Sequence, residues 1–330
     1  MSTITTDPLF NGATYASSWA AILTDLEGMV PTVYVDSVGN ATIGAGFLIS
    51  DNVSTILGVI DPSLQSILSP SGYQNLKNAI TTATKKVSFA TAVAAQTAIQ
   101  DAIYSTLNNP TSYPGGVLPT SIPTFIFEYS TDPVTANAQI QSTLANIIQI
   151  YENRIDQWLN TPTPMAPSRE RLALLSLAYN NIIGVTTDSN GNVVIKSPTL
   201  RNDILTGNRA AAWYEIRYNS NGGSSASAGI ATRRFYESTL FGLYADPSNP
   251  TLTESMQAYQ VLQQHRQEIL AYEAQYGLVP GAAGGGASAL QNVLTNYGAG
   301  APAGSILAAA GLSSALTSVP TLVMSRKLLN

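Results

Sequence analysis

Glu27, Asp36 and Thr42 are the residues of this chain whose types and spacing could do chemistry: Asp36 follows Glu27 by nine positions, and Thr42 lies six further on. Two acids held on different rigid elements across a gap are what cleavage of a glycosidic bond needs. One must stay protonated to donate to the leaving oxygen. The other must stay ionised to face developing positive charge or to steer a water.

The elements that would position them can be read from the surrounding residues. Trp19, Ile22, Leu23 and Leu26 recur at three- and four-residue spacing, so Tyr15 to Leu26 reads as an amphipathic helix. Gly28 suits its C-terminal cap and Pro31 opposes continuation, which places Glu27 at a helix end. Val33-Tyr34-Val35 is a β-rich run, Asp36 to Asn40 is turn chemistry, and Ala41-Thr42-Ile43 resumes a strand. Gly44 and Gly46, lacking side chains, would let a polymer approach the backbone. The bland alternative is that Glu27 is a solvated helix-end residue and Asp36 a structural turn residue.

Taken together, Glu27-Gly28, Tyr34-x-Asp36, Gly39 and Thr42-Ile43-Gly44-x-Gly46 resemble the active-site segment of the T4-type phage lysozymes, glycoside hydrolase family 24. The resemblance implies cleavage of peptidoglycan between N-acetylmuramic acid and N-acetylglucosamine. It assigns the acid to Glu27 and the positioning of a water to Asp36 and Thr42. Tyr34, Gly44 and Gly46 fall to substrate binding or support. The family often has a histidine directly after the second glycine; here that position is Phe47, read as local packing. A second block, Arg169 to Asn180, is similar to the family's central core helix with its apolar-aromatic-Asn ending. A third, from Ser197 to Tyr244, contains Gly222-Gly223 and Gly229-Ile230-x-x-Arg233-Arg234-x-x-Glu237, similar to the family's closing helices. The three blocks cover roughly half the chain, in pieces.

Asn180, Arg233 and Arg234 are the support residues this likeness suggests. The expectation is that one arginine reaches back to Glu27 and fixes its geometry, while the other makes an ordinary surface pair with Glu237, worth about 0.3–0.5 kcal/mol. A cation beside a carboxylic acid favours the ionised form, so an acid role would need burial and hydrogen bonding to outweigh the pairing. The separation of the two carboxylates decides between an inverting and a retaining outcome.

Composition excludes several other chemistries. There is no cysteine, so thiol catalysis, disulfides and cysteine-metal sites are out. The single histidine, His265, lies in a polar helical stretch and reads as solvated, with no arrangement for a metal or a Ser-His-Asp triad. No cofactor and no metal are expected. Gly284-Gly285-Gly286 lacks the lysine of a phosphate loop and reads as linker. A net charge of −5 argues against nucleic acid. It also departs from the basic balance of many phage lysozymes, so such a protein would be placed at its substrate rather than steered there by charge. Met1 to Asn11 has neither a basic n-region nor an apolar h-region. Action on a cell wall, in the periplasm or outside the cell, would then need release by lysis, a dedicated secretion machine, or carriage on a phage or injection particle.

The expected fold is α+β and mainly α: a lysozyme-like two-lobed arrangement with a small β-hairpin lobe, a larger helical lobe and the glycan between them. The sections are 1–50, the first helix and hairpin; 51–165, a helical linker with a long insertion; 166–246, the helical lobe; and 247–330, a C-terminal extension. Helical pieces are expected at Ser71–Leu107 and Pro133–Asn160, with an excursion loop from Asn109 to Asp132 between them, built on an Ile-Phe-Glu-Tyr core; packing on the helical lobe is the favoured reading of it, and a docking or substrate-selecting element the sharper one. A helix from Thr253 to Tyr276, capped by Thr253, is expected to precede a small-residue linker and a Gly/Ala-rich tail. Residues 305–324 carry no charge and are long enough to span a bilayer, but Ser, Thr, Gly and Pro320 dilute their hydropathy. Packing on protein is the favoured reading. Peptidoglycan strands are the expected partner, with a particle or secretion-machine protein on the insertion or tail and a membrane as the lesser expectation. The rival function class is a structural or peptidoglycan-binding component of a phage tail or injection particle that keeps the fold without turnover. A lesser third is an antibacterial toxin with a membrane-inserting tail.

Overall fold

The computed structural model describes residues 4–6, 12–36, 38–85, 87–221, 227–246 and 249–276. They are mainly helical, with two small antiparallel sheets, in the α+β, mainly α class that the sequence implies. The chain divides into two compact units, one of residues 16–149 and the other of residues 1–15 with residue 150 onward. The first helix and hairpin therefore share a unit with most of the expected linker section. The described part of the C-terminal extension, residues 249–276, shares one with the expected helical lobe.

In the first unit, α1 (Gly12–Glu27) buries Trp19, Ala20 and Leu23. It stops at Gly28, whose φ of 75° is left-handed and whose N–H returns to the Thr24 carbonyl at 3.0 Å. Three strands follow, β1 (Val30–Val35), β2 (Ala41–Gly44) and β3 (Phe47–Leu48), in sheet order β1-β2-β3. β1 and β2 pair antiparallel with Tyr34 opposite Thr42 and Val35 opposite Ala41; the register slips between Val30 and Tyr34, where Pro31 brings no N–H. Next come α2 (Ile49–Ile60), α3 (Leu64–Ile67), α4 (Pro70–Thr84) and α5 (Ala92–Leu107). The helical stretch expected over 71–107 is thus two helices. Thr91, extended, caps the second by accepting from Ala94 N at 3.2 Å. α2 was not anticipated, although Ile49, Val53, Ile56 and Leu57 have helical spacing and are buried.

The segment from Asn109 to Asp132 is not an excursion. It buries Phe125, Phe127 and Tyr129, and Gln100 Nε2 donates to the Phe125 carbonyl at 2.8 Å. Tyr129 N donates to the Pro31 carbonyl at 2.8 Å, and Tyr129 Oη to Thr143 Oγ1 at 2.9 Å. Its aromatic side chains supply the driving force that holds it on the edge of β1. The long α6 (Pro133–Leu159) begins in this unit, and the unit boundary falls within it.

In the second unit, α7 (Arg169–Tyr179) is capped by Ser168 and buried from Glu170 to Ala178. An unanticipated two-stranded hairpin, β4 (Val185–Thr187) and β5 (Val193–Ile195), exposes all six of its strand residues. Then come α8 (Pro198–Thr206), α9 (Arg209–Tyr214), a π-helical turn at Glu215–Asn219, α10 (Ser227–Phe241), α11 (Leu252–Gln264) and α12 (Arg266–Tyr276). The helix expected over 253–276 is therefore divided at His265, and its cap is Thr251 rather than Thr253. Thr251 Oγ1 accepts from Glu254 N at 3.2 Å while Glu254 Oε2 accepts from Thr251 N at 3.0 Å, a reciprocal capping box that sets the cap two residues earlier. Glu254 Oε1 also accepts from Ala245 N at 2.7 Å and lies 3.5 Å from Arg209 Nε, which fastens α11 to α9. His265 is not simply solvated: it is half-buried and stacked on Tyr214, ring centroids 3.9 Å apart. Among the described residues no helix is long and apolar enough to cross a membrane. The expected linker and the 305–324 tail lie outside the described residues, as do Gly222 and Gly223.

Candidate active site

Glu27 ends α1, and Tyr34 and Asp36 lie at the end of β1 and just past it, all in one unit. In an antiparallel pair, residues directly opposite point to one face, and side chains two apart along a strand share that face. Tyr34 and Thr42 are therefore neighbours, and Asp36 follows just past the strand end. Burial is the main cause that pushes the Tyr34 phenol up, and the negative charges of Glu27 and Asp36 push it further. One half-buried phenol thus feels both carboxylates.

Asp36 is held by its own turn. Its Oδ1 accepts from Val38 N and Asn40 N, each at 2.9 Å, and its Oδ2 from Asn40 Nδ2 at 2.8 Å. Partial burial by itself would raise the carboxyl. The bonds from Asn40, Val38 and Gly39 together outweigh it, so Asp36 lies below the ordinary aspartate value and is ionised at neutral pH. Its contribution to stability is present above the unfolded aspartate value and is lost as pH falls through the lower folded one. Thr42 is buried, and its hydroxyl donates to the Asn40 carbonyl at 3.1 Å. That leaves the Thr42 oxygen as an acceptor, like the remaining lone pair of Asp36 Oδ2.

The same turn occurs twice in the chain. Asp36 to Asn40 and Asp188 to Asn192 both read Asp-Ser-x-Gly-Asn. In the second, Asp188 Oδ1 accepts from Asn190 N at 2.9 Å and Asn192 N at 2.8 Å, and Oδ2 accepts from Asn192 Nδ2 at 3.0 Å. Gly39 and Gly191 take matching left-handed φ of 93° and 83°. Asp188 is lowered for the same reason as Asp36, the Asn192 side-chain bond first. The hydrogen bonds and lowered value of Asp36 are thus properties of the turn sequence. Glu27, Tyr34 and Thr42 are what distinguish its surroundings. The repeat is legible in the sequence, as the one pentapeptide pattern shared by residues 36–40 and 188–192.

The other expected site residues are placed as follows. Gly44 does not leave room for a polymer: a Cβ there would lie 2.6 Å from the Phe47 ring and 3.0 Å from that of Tyr129. Its absent side chain, and its φ of 69°, serve the tight β2–β3 turn that Gly46, φ 86°, completes. Phe47 is buried, as local packing implies. Asn180 caps α7, and with its amide turned to suit the network its oxygen accepts from Arg233 Nη1 at 2.9 Å. Arg233 Nε pairs with Glu237 Oε1 at 3.1 Å, and Arg234 Nη1 pairs with Glu237 Oε2. Ser176 Oγ donates to Glu237 Oε1 at 2.6 Å and accepts from Arg233 Nη2 at 3.1 Å. The Glu237 pairing was expected of one arginine at the surface. Both make it, and the cluster is buried, because α10 lays that face against α7.

A second acid merits comparison. Asp203, half-buried on α8, is pushed up to about 6, by burial first and by the charge of Glu215 second. Between pH 4 and 6 the folded chain keeps a proton that the unfolded chain has lost, so this group makes stability fall as pH rises through that window. Asp203→Asn is expected to raise the thermal midpoint at pH 7.5 and to leave it unchanged at pH 4, as thermal unfolding at both values would read. A gain of equal size at pH 4 would refute the ionisation account. Asp203 borders neither of the two cavities described in the structure, whereas Tyr34 and Asp36 line an open groove of about 630 Å³. Among the described residues no group of three or more His, Asp or Glu could hold a metal ion. Compared with known proteins, the chain matches no family model, no curated protein and no solved structure.

Proposed function

We propose that the chain is a peptidoglycan hydrolase, an N-acetylmuramidase whose general acid is Glu27 and whose water is held by Asp36 and Thr42. The observation that carries this reading is the half-buried Tyr34, which feels two carboxylates borne by separate elements, with Thr42 across the strand pair. In this mechanism Glu27 donates its proton to the leaving glycosidic oxygen. Asp36 Oδ2 and Thr42 Oγ1, both acceptors, hold the two hydrogens of one water with its lone pair towards the anomeric carbon; as that oxygen bonds the carbon and the bond to the leaving oxygen breaks, Asp36 takes one proton from the water. Asp36, ionised at neutral pH, also faces the positive charge that develops there. The two-lobed lysozyme fold, the cell-wall location and a particle or secretion-machine partner belong to the same proposal.

A specific observation favours the second reading, a peptidoglycan-binding protein without turnover. Asp188 shows that this turn holds its aspartate whether or not there is a site beside it. The twin turns supply the test. Fragments released from purified peptidoglycan are identified by mass spectrometry for wild type, Asp36→Asn and Asp188→Asn. The hydrolase reading expects reducing-end N-acetylmuramic acid from wild type, a loss of roughly 100-fold in Asp36→Asn, and an unchanged rate in Asp188→Asn. Each substitution weakens one copy of the same turn, so a general stability effect would move both. No fragments from wild type across a range of pH would transfer the proposal to the binding reading.

A further inference from the structure

We infer that the groove between the β1–β2 hairpin and the α4–α5 connection is an additional saccharide subsite, one that takes a neutral N-acetylhexosamine next to Asp36 and rejects anionic groups. The inference deepens the muramidase reading and rests on it for the identity of the polymer. The groove is lined on the hairpin side by Tyr34, Asp36 and Val38 and on the other by Ser88, Phe89 and Thr91. Its volume of about 630 Å³ falls within the roughly 300–1,000 Å³ typical of small-molecule sites.

The two walls are joined by direct bonding. Phe89 N donates to the Gly39 carbonyl at 2.8 Å. A Cβ on Gly39 would lie 2.2 Å from Ser88 Oγ, so the connection sits in the space that the turn glycine leaves open. α5 packs on β1 behind it. The groove is therefore built before any ligand arrives, which lowers the ordering cost of binding.

Its lining selects a chemical class. Phe89 and Val38, the latter 72% exposed, offer apolar surface for the C–H face of a pyranose. Tyr34, Ser88 and Thr91 offer hydroxyls. Thr91 Oγ1 accepts from Ala94 N, which leaves its own hydrogen to donate. No lysine, arginine or histidine is among these lining residues. A phosphate, or a carboxylate of a stem peptide, would meet the negative charge of Asp36 with no cation among the described lining residues to offset it. A neutral, hydroxyl-rich ring with one apolar face meets none of these penalties.

The test is a binding measurement on the full chain with tri-N-acetylchitotriose as probe, by titration calorimetry. Proteins are wild type, Glu27→Gln, Phe89→Ala and Ala90→Trp. Ala90 is exposed on the groove wall, so the indole fills the groove without disturbing the core. Wild type and Glu27→Gln are expected to bind alike, and both groove variants to lose about tenfold or more in Kd with unchanged thermal midpoints. The same trisaccharide oxidised to its terminal aldonic acid is expected to bind more weakly to wild type. Undiminished binding in Ala90→Trp, or equal affinity for the aldonic acid, would overturn the subsite. Peptidoglycan digestion run in parallel separates the two proposals. Digestion without a groove effect removes the subsite alone. Groove-dependent binding without digestion removes the hydrolase and keeps the subsite.

Discussion

Glu27→Gln is expected to lower the rate of fragment release from peptidoglycan by roughly 10²–10⁴-fold, the range contributed by a positioned general acid. The substitution keeps the shape of the side chain and removes the proton that the leaving oxygen needs. Glu27 is half-buried at the last residue of α1, where Gly28 ends the helix, and its carboxylate acts on Tyr34 through space. Urea unfolding of the same variant, run alongside, separates loss of the acid from loss of the fold. Glu27→Gln should also still sediment with insoluble peptidoglycan. Retained digestion in this variant would remove Glu27 from the mechanism. Wild type that sediments but releases nothing would leave a protein that grips the wall without cutting it.

The largest stability effect is expected at Glu237. Truncation to Ala removes the carboxylate with which the guanidiniums of Arg233 and Arg234, 9% and 1% exposed, both pair. Removing one partner of a buried ion pair costs about 3–5 kcal/mol, because the stranded charge keeps its desolvation penalty. Ser176 Oγ loses its acceptor at the same time. Urea unfolding of wild type and Glu237→Ala would measure the change, and a loss under about 1 kcal/mol would contradict the burial argument. The sequence spacing of Arg233 and Glu237 suggests a surface pair of small worth. The helix-to-helix packing of α10 on α7 converts the same residues into a core cluster.

Local structure was legible wherever neighbours in sequence decide it. The end of α1 at Glu27 follows from Gly28. The turn at Asp36 follows from an Asp-Ser-x-Gly-Asn pentapeptide that folds alike in two places, and α7 follows from the apolar density of Leu172 to Tyr179, which Ser176 alone interrupts. Boundaries were less legible where two caps compete. Thr253 is a fair N-cap by type, but Thr251 wins because Glu254 can answer it three residues on.

What the sequence determined by itself is the set of turns, caps and periodic faces, each fixed by interactions within a few residues, together with the absence of thiol chemistry. Which residues meet across the fold was decided by tertiary structure alone. The stretch from Asn109 to Asp132 reads as a loop because Pro, Ser and Thr dominate it, yet Phe125, Phe127 and Tyr129 bury themselves and hold it to β1. Gly44 reads as an opening for a polymer, yet Phe47 and Tyr129 occupy that space. The groove beside Asp36 joins residues some fifty positions apart, through one backbone bond from Phe89 to Gly39. Such contacts depend on packing between distant segments, whose partners no local pattern names.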